Sequence, residues 1–191
     1  MMETIKIWFI DQHPIYQALL AGIFTWVLTA IGAGLVFFFN GSNRKFLDMS
    51  LGFTGGVMIA ASFWSLLAPS IEYVEMQNEL GKTNMPSWLV PTIGFFLGAL
   101  FLYGLDKVIP HLHLFEKKDM AEGMQTNWQK TILLVLAIAL HNIPEGLAVG
   151  VAFGAIASPE LIEGYQGALF SIGSAIALAI GIGIQNFPEG F

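Results

Sequence analysis

Two short stretches of the chain carry nearly all of its unusual chemistry. His141, Asn142, Pro144 and Glu145 stand in "HNIPEG", and Gln185, Asn186, Pro188 and Glu189 repeat the order amide, proline, glutamate in "QNFPEG". On a helix, His141 and Glu145 share one face at i, i+4, and Asn142 lies on a neighbouring face at i, i+3 from Glu145. Gln185, Asn186 and Glu189 repeat both spacings. Two carboxylates, one imidazole and three amides at matched places form an oxygen- and nitrogen-rich set. Such a set suits a divalent cation such as zinc, cadmium, manganese or ferrous iron.

The elements that must position these groups are apolar. The chain has 191 residues, of which 55% are hydrophobic and only 12% charged. Five stretches are long enough to cross a bilayer, which takes roughly 20 apolar residues: TM1 at 15–39, TM2 at 46–70, TM3 at 88–109, TM4 at 128–157 and TM5 at 167–191. So many apolar runs cannot be buried against so little polar sequence, and the expected class is an all-α integral membrane protein. An ionisable group inside such a helix is costly unless it is paired, hydrated or bound to metal. Both motifs therefore read as a functional site, and carboxylates on two facing helices can share metal between them. Pro144 cannot donate to the carbonyl of Leu140, nor Pro188 to that of Ile184. Broken helices in corresponding places are expected at a transport site.

Charge distribution gives an orientation. Arg44 and Lys45 lie between TM1 and TM2; Lys107, Lys117, Lys118 and Lys130 flank the loop at 110–127. The other two loops carry Glu72, Glu75, Glu79, Glu160 and Glu163 against the single base Lys82. By the positive-inside rule the TM3–TM4 loop is cytoplasmic and the N-terminus is outside. The start, "MMETIKIWFIDQHP", lacks the pattern of a cleavable signal and reads as an interfacial segment with Trp8 and Phe9 at headgroup level. There is no cysteine, so neither disulfides nor thiolate ligands are available. Small residues at four-residue spacing, Gly52, Gly56 and Ala60 on TM2 and Gly173, Ala177 and Gly181 on TM5, predict close helix packing there.

"HNIPEG" followed by "GIQNFPEG" resembles the fourth and fifth helices of the ZIP (Zrt/Irt-like) divalent metal transporters, nearest the GufA-like branch. The likeness covers the whole chain in helix layout and suggests a bacterial member, in the cell membrane. It implies an eight-helix inverted-repeat transporter, of which this chain would be the N-terminal part and would need helices 6–8 of the same protein. It implies a binuclear metal centre of His141, Asn142, Glu145, Gln185, Asn186 and Glu189, bridged by the two glutamates. Met58 would add a sulfur ligand and Ser65 would line the outer entrance. Asp106, His111 and His113 in "DKVIPHLH" suggest a cytoplasmic exit site. Many relatives carry histidine and aspartate where this chain has Gln185 and Asn186. The expected function is transport of zinc, or of cadmium, iron or manganese, toward the cytoplasm. Expected partners are the metal ion, the lipid bilayer and a second copy in a homodimer, without nucleic acid and without a resident cofactor.

Two other classes stay open at this point: a membrane-embedded metalloenzyme such as an intramembrane protease, and a structural metal site stapling TM4 to TM5. Against the protease, the chain has no H-E-x-x-H and no serine in a G-x-S-x-G context.

Overall fold

The computed structural model describes residues 2–35, 37, 44–112, 121–157 and 171–190. Its elements are α1 (Met2–Ile10), α2 (Pro14–Leu35), α3 (Arg44–Ser62), a π-helical segment (Phe63–Leu67), α4 (Ala68–Glu79), α5 (Leu89–Val108), α6 (Lys130–Ile156) and α7 (Ile172–Gly190). Among the described residues, four continuous stretches are long and apolar enough to cross a membrane: Pro14–Leu35, Asp48–Glu79, Leu89–Val108 and Lys130–Ile156. α7 falls outside that group, because its last turns hold Gln185, Asn186, Pro188 and Glu189. The chain is an all-α membrane protein.

α2 starts where the sequence allows a sharp start. Pro14 occupies the first helical position, where its missing N–H costs nothing. His13 caps it, its Nδ1 accepting from the Ile15 amide at 3.3 Å.

The second apolar run departs from expectation. Its helix continues past residue 70 to Glu79, so Glu72, Glu75 and Glu79 lie on α4 and not in a loop. Pro69 is the residue that could have stopped it, since it cannot donate to the Ser65 carbonyl. The chain absorbs that loss by widening into the π-helical segment, in which the Ala68 amide reaches the Phe63 carbonyl. The helix ends instead at Gly81, which adopts φ +68°. The Lys82 amide bonds the Gln77 carbonyl at 3.0 Å and the Gly81 amide bonds that of Asn78 at 2.9 Å. This is a Schellman cap, and a left-handed residue at that position favours glycine.

The core lies where α2, α6 and α7 meet and comprises Ala21, Val149, Phe153, Ala175, Leu178, Ala179 and Ile182. α1 folds back onto it. Gln17 donates from Nε2 to the carbonyls of Phe9 and Ile10 at 2.9 and 3.1 Å, closing the end of α1. Phe9 then packs edge-on against Phe153 with ring centroids 6.0 Å apart.

The glycines that let backbones approach are not those of the expected stripes. Gly52 and Gly56 are exposed with open space beside them, and Gly173 and Ala177 are exposed as well. The close crossing joins α2 to α7. A Cβ on Gly32 would strike the Phe187 carbonyl, and one on Gly190 would strike the Thr29 carbonyl. Gly183 lies under Phe24 and Leu28. The spacing argument identified a helix with small residues on several faces; which face is used depends on the neighbour.

Candidate metal centre

α6 and α7 bring the two motifs face to face. Each proline sits inside an unbroken helix, so the expected interruption does not occur at either motif. On α6, the amide of Asn142 donates from Nδ2 to the Ile138 carbonyl at 2.8 Å. His141 approaches the Ala137 carbonyl through Nδ1 at 2.8 Å. A carbonyl only accepts, so Nδ1 carries the proton and Nε2 keeps its lone pair. Both side chains thus turn their donors back along α6 and leave acceptors for the space beyond.

Across the helix interface the amides donate again. Gln185 Nε2 donates to Glu145 Oε1 at 2.7 Å, and Asn186 Nδ2 donates to Asn142 Oδ1 at 3.4 Å. Glu145, Gln185 and Asn186 are 8%, 1% and 2% exposed, so these groups have left water behind. Thr54 of α3 adds a long contact, its hydroxyl 3.4 Å from the Gln185 carbonyl that it donates to. Sequence reading missed Thr54, because nothing in its local sequence distinguishes it from other small residues of α3.

Three buried acceptors remain without a partner: Glu145 Oε2, Gln185 Oε1 and Asn186 Oδ1. An unsatisfied buried acceptor costs about 1–3 kcal/mol, more if charged. Two of these acceptors are on Glu145 and Gln185, whose side chains are in direct contact. One carboxylate oxygen and two amide oxygens form a donor set that a divalent cation accepts.

The remaining expected ligands lie around this cluster to differing degrees. Glu189 is half-buried and His141 is exposed. The ligand atoms of His141, Glu145 and Glu189 do not gather within 4.8 Å as a set. Met58 is 38% exposed on α3 and is not part of the buried cluster. Ser65 lines a cavity of about 140 Å³ together with Ser70, Ser174, Val151 and Ala152. On α6 that cavity is about two turns past Glu145, on the side away from the α5–α6 loop.

That loop and the last turn of α5 hold a second cluster. Asp106, His111 and Glu122 place one ligand atom each within 4.8 Å of the others. His111 is 1% exposed; its Nδ1 meets the Ile109 carbonyl at 2.9 Å and its Nε2 lies 3.2 Å from Asp106 Oδ1. Backbone pairing between His111 and Glu122 closes the loop. Gly123 permits it, with φ +82° and a Cβ position blocked by the Ile109 carbonyl. Glu122 lies far from His111 in sequence and reads there as a solvated loop acid, so only the fold reveals it. His113 lies outside the described residues.

No family model matches the chain. It is 36% identical to zinc transporter ZIP11 of Bos taurus over 76% of this chain and 63% of that protein. It is 34% identical to zinc transporter GufA of Myxococcus xanthus, covering 87% of this chain and 58% of that protein. For zinc transporter ZupT of Chlorobium limicola the identity is 33%, over 76% of this chain and 55% of the relative. The chain therefore spans somewhat more than half the length of the curated relatives it matches. With relatives of three names in agreement over most of its residues, on a membrane fold of apolar helices, the chain belongs to the ZIP family.

Proposed function

We propose that the protein moves a divalent transition metal, zinc first and cadmium, iron or manganese by the same chemistry, across a membrane toward the cytoplasm. The α6–α7 cluster is its passage. The observation that carries this reading is the trio of unpartnered buried oxygens on Glu145, Gln185 and Asn186, between two helices of a membrane protein. That three relatives are named zinc transporters supports it.

In this reading α7 is the fifth membrane span, the N-terminus faces outward and the α5–α6 loop faces the cytoplasm of a bacterial cell. A hydrated cation enters beside Ser65, passes the cavity that it lines and exchanges water for the glutamate and amide oxygens. His141 and Glu189 line the same route, and Met58 offers a sulfur from α3. A proton on either glutamate removes a ligand charge, so proton and metal compete for the site. Asp106 and His111, with Glu122, receive the ion on the inner side, and His113 follows them in sequence. Further helices of the same protein would close the site, and a second copy would form a homodimer. Whether both ions of the implied pair bind at once depends on the two amides, Gln185 and Asn186.

Transport is favoured over catalysis because three relatives are named zinc transporters. The test is zinc and cadmium flux into metal-free liposomes containing the protein, its Glu145→Ala variant and its Glu189→Ala variant. Flux that collapses in both folded variants is expected. A folded protein that binds zinc and passes none would refute transport and leave the staple, or an enzyme, as the better account.

A further inference from the structure

A hydroxyl inside a helix commonly spends its proton on a carbonyl three or four residues back in its own chain. The threonines of α2 do so: Thr25 donates to the Gly22 carbonyl at 2.9 Å and Thr29 to that of Thr25 at 3.2 Å. Thr54 of α3 spends its proton elsewhere. Its hydroxyl reaches out of its own helix to the Gln185 carbonyl of α7, 3.4 Å away and 131 positions along the chain. Among the described side chains of α3, Thr54 is the one that is buried. The two helices also approach one turn further on, where a Cβ on Gly181 would stand 3.8 Å from Val57 Cγ1. Thr54 and Val57 share a face of α3, and Gln185 and Gly181 share a face of α7, so both contacts belong to one line of approach.

Gln185 makes its second link through its side chain, Nε2 donating to Glu145 Oε1 at 2.7 Å. One residue thus ties three helices, by its carbonyl to α3 and by its amide to α6. The direction of that amide is fixed, because exchanging its terminal atoms would set an oxygen against the Glu145 carboxylate. The turn that carries Gln185 needs an outside hold. Pro188 lies within α7 and supplies no N–H to the Ile184 carbonyl, so this turn has lost one of its own helical bonds. A carboxylate that ligates metal depends on hydrogen bonds that set its orientation. Such a bond is placed only as well as the backbone behind it, and Thr54 grips that backbone.

We infer that Thr54 is a positioning residue of the metal centre: its hydroxyl holds the Gln185 backbone, and the Gln185 amide in turn orients the Glu145 carboxylate. The inference rests on the metal-binding reading of the α6–α7 cluster. Thr54 acts through Gln185 and not by ligation.

The test measures the zinc affinity of the detergent-purified, metal-free protein by competition with a chelating dye. A His111→Ala background removes the loop cluster from the measurement. Thr54→Val keeps the shape of the side chain and loses the donor, whereas Thr54→Ser keeps the donor. Loss of one neutral hydrogen bond corresponds to an affinity about three- to ten-fold weaker, the result expected for Thr54→Val, with Thr54→Ser within about two-fold of the background. In a Gln185→Ala protein the Thr54→Val loss should vanish, because the two residues act in series. Affinity unchanged in Thr54→Val, with a cooperative melt to show that it folds, would overturn the inference. An equal loss in Thr54→Ser would also overturn it, by assigning the effect to side-chain shape. So would a Thr54→Val loss that persists without the Gln185 side chain, since that loss would not pass through the amide. Zinc binding unchanged in Glu145→Gln would fail the metal-site reading itself, which the other outcomes leave standing. Thr54→Ala, which also lacks the donor, and Gln185→Leu replace Thr54→Val or Gln185→Ala if either does not fold.

Discussion

Gly32 is where a single methyl group should separate the helices that carry the site. On α2 its Cβ would fall against the Phe187 carbonyl, with the Phe187 carbonyl carbon at 3.0 Å and the Gly190 Cα at 3.4 Å. All of these neighbours are backbone, so no side chain can rotate away. Ordinary contact for a Cβ begins near 3.4 Å, so α2 and α7 must part. Overpacking of this kind costs about 1–3 kcal/mol. For a chain of this size that is roughly 2–4 °C of melting temperature per kcal/mol. The expected result for Gly32→Ala is a lower melt in detergent together with weaker zinc binding, since Phe187 directly follows Gln185 and Asn186. Gly22, on the same helix but with open space beside it, is the control, and Gly22→Ala should leave both measurements unchanged. An unaltered melt and unaltered zinc affinity in Gly32→Ala would refute the close crossing and the claim that it holds the ligand segment.

Two further substitutions probe the supports of this arrangement. Phe153 is fully buried and meets Phe9 edge-on, so Phe153→Ala should cost about 3–5 kcal/mol and expose α1 to protease, read by melting and limited digestion. Gly123→Ala should strain a residue at φ +82° against the Ile109 carbonyl, by about 1–3 kcal/mol. Its readout is loss of the zinc-binding component that His111→Ala also removes, with the α6–α7 component intact.

What the sequence displays of this fold is what depends on local composition. Apolar runs interrupted by charged or glycine-containing segments mark the helices, because each helix must satisfy its own backbone in lipid. Where the second helix ends depends on more than composition. Pro69 looks like a stop, yet the π-helical segment accommodates it, and the glutamates after it are good helix formers. The actual stop needs a left-handed residue, and Gly81 supplies one. The choice of packing face was similarly hidden. Both α3 and α7 present small residues in a stripe, but lipid gives no hydrophobic preference among faces. Only the partner helix decides, and α2 selects the side of α7 that bears Gly183 and Gly190.

The site was legible for a different reason. A carboxylate in a membrane helix is rare enough to stand out alone, and its repetition on a second helix at the same spacing implies that the two meet. Spacing fixes which residues share a face, but not which of their atoms are spent on each other. The Gln185–Glu145 bond joins residues 40 positions apart, and the Asn186–Asn142 bond joins residues 44 apart. Both pairs come from the one register between α6 and α7 that sets motif against motif. In that register the amides of Gln185 and Asn186 act as donors toward α6. Their N–H groups link the two helices where motif meets motif, beside the apolar contacts of the core. A carboxylate in their place would bring no N–H and would give up that link. Neutral amides therefore join α6 to α7 through side-chain hydrogen bonds that need no metal ion.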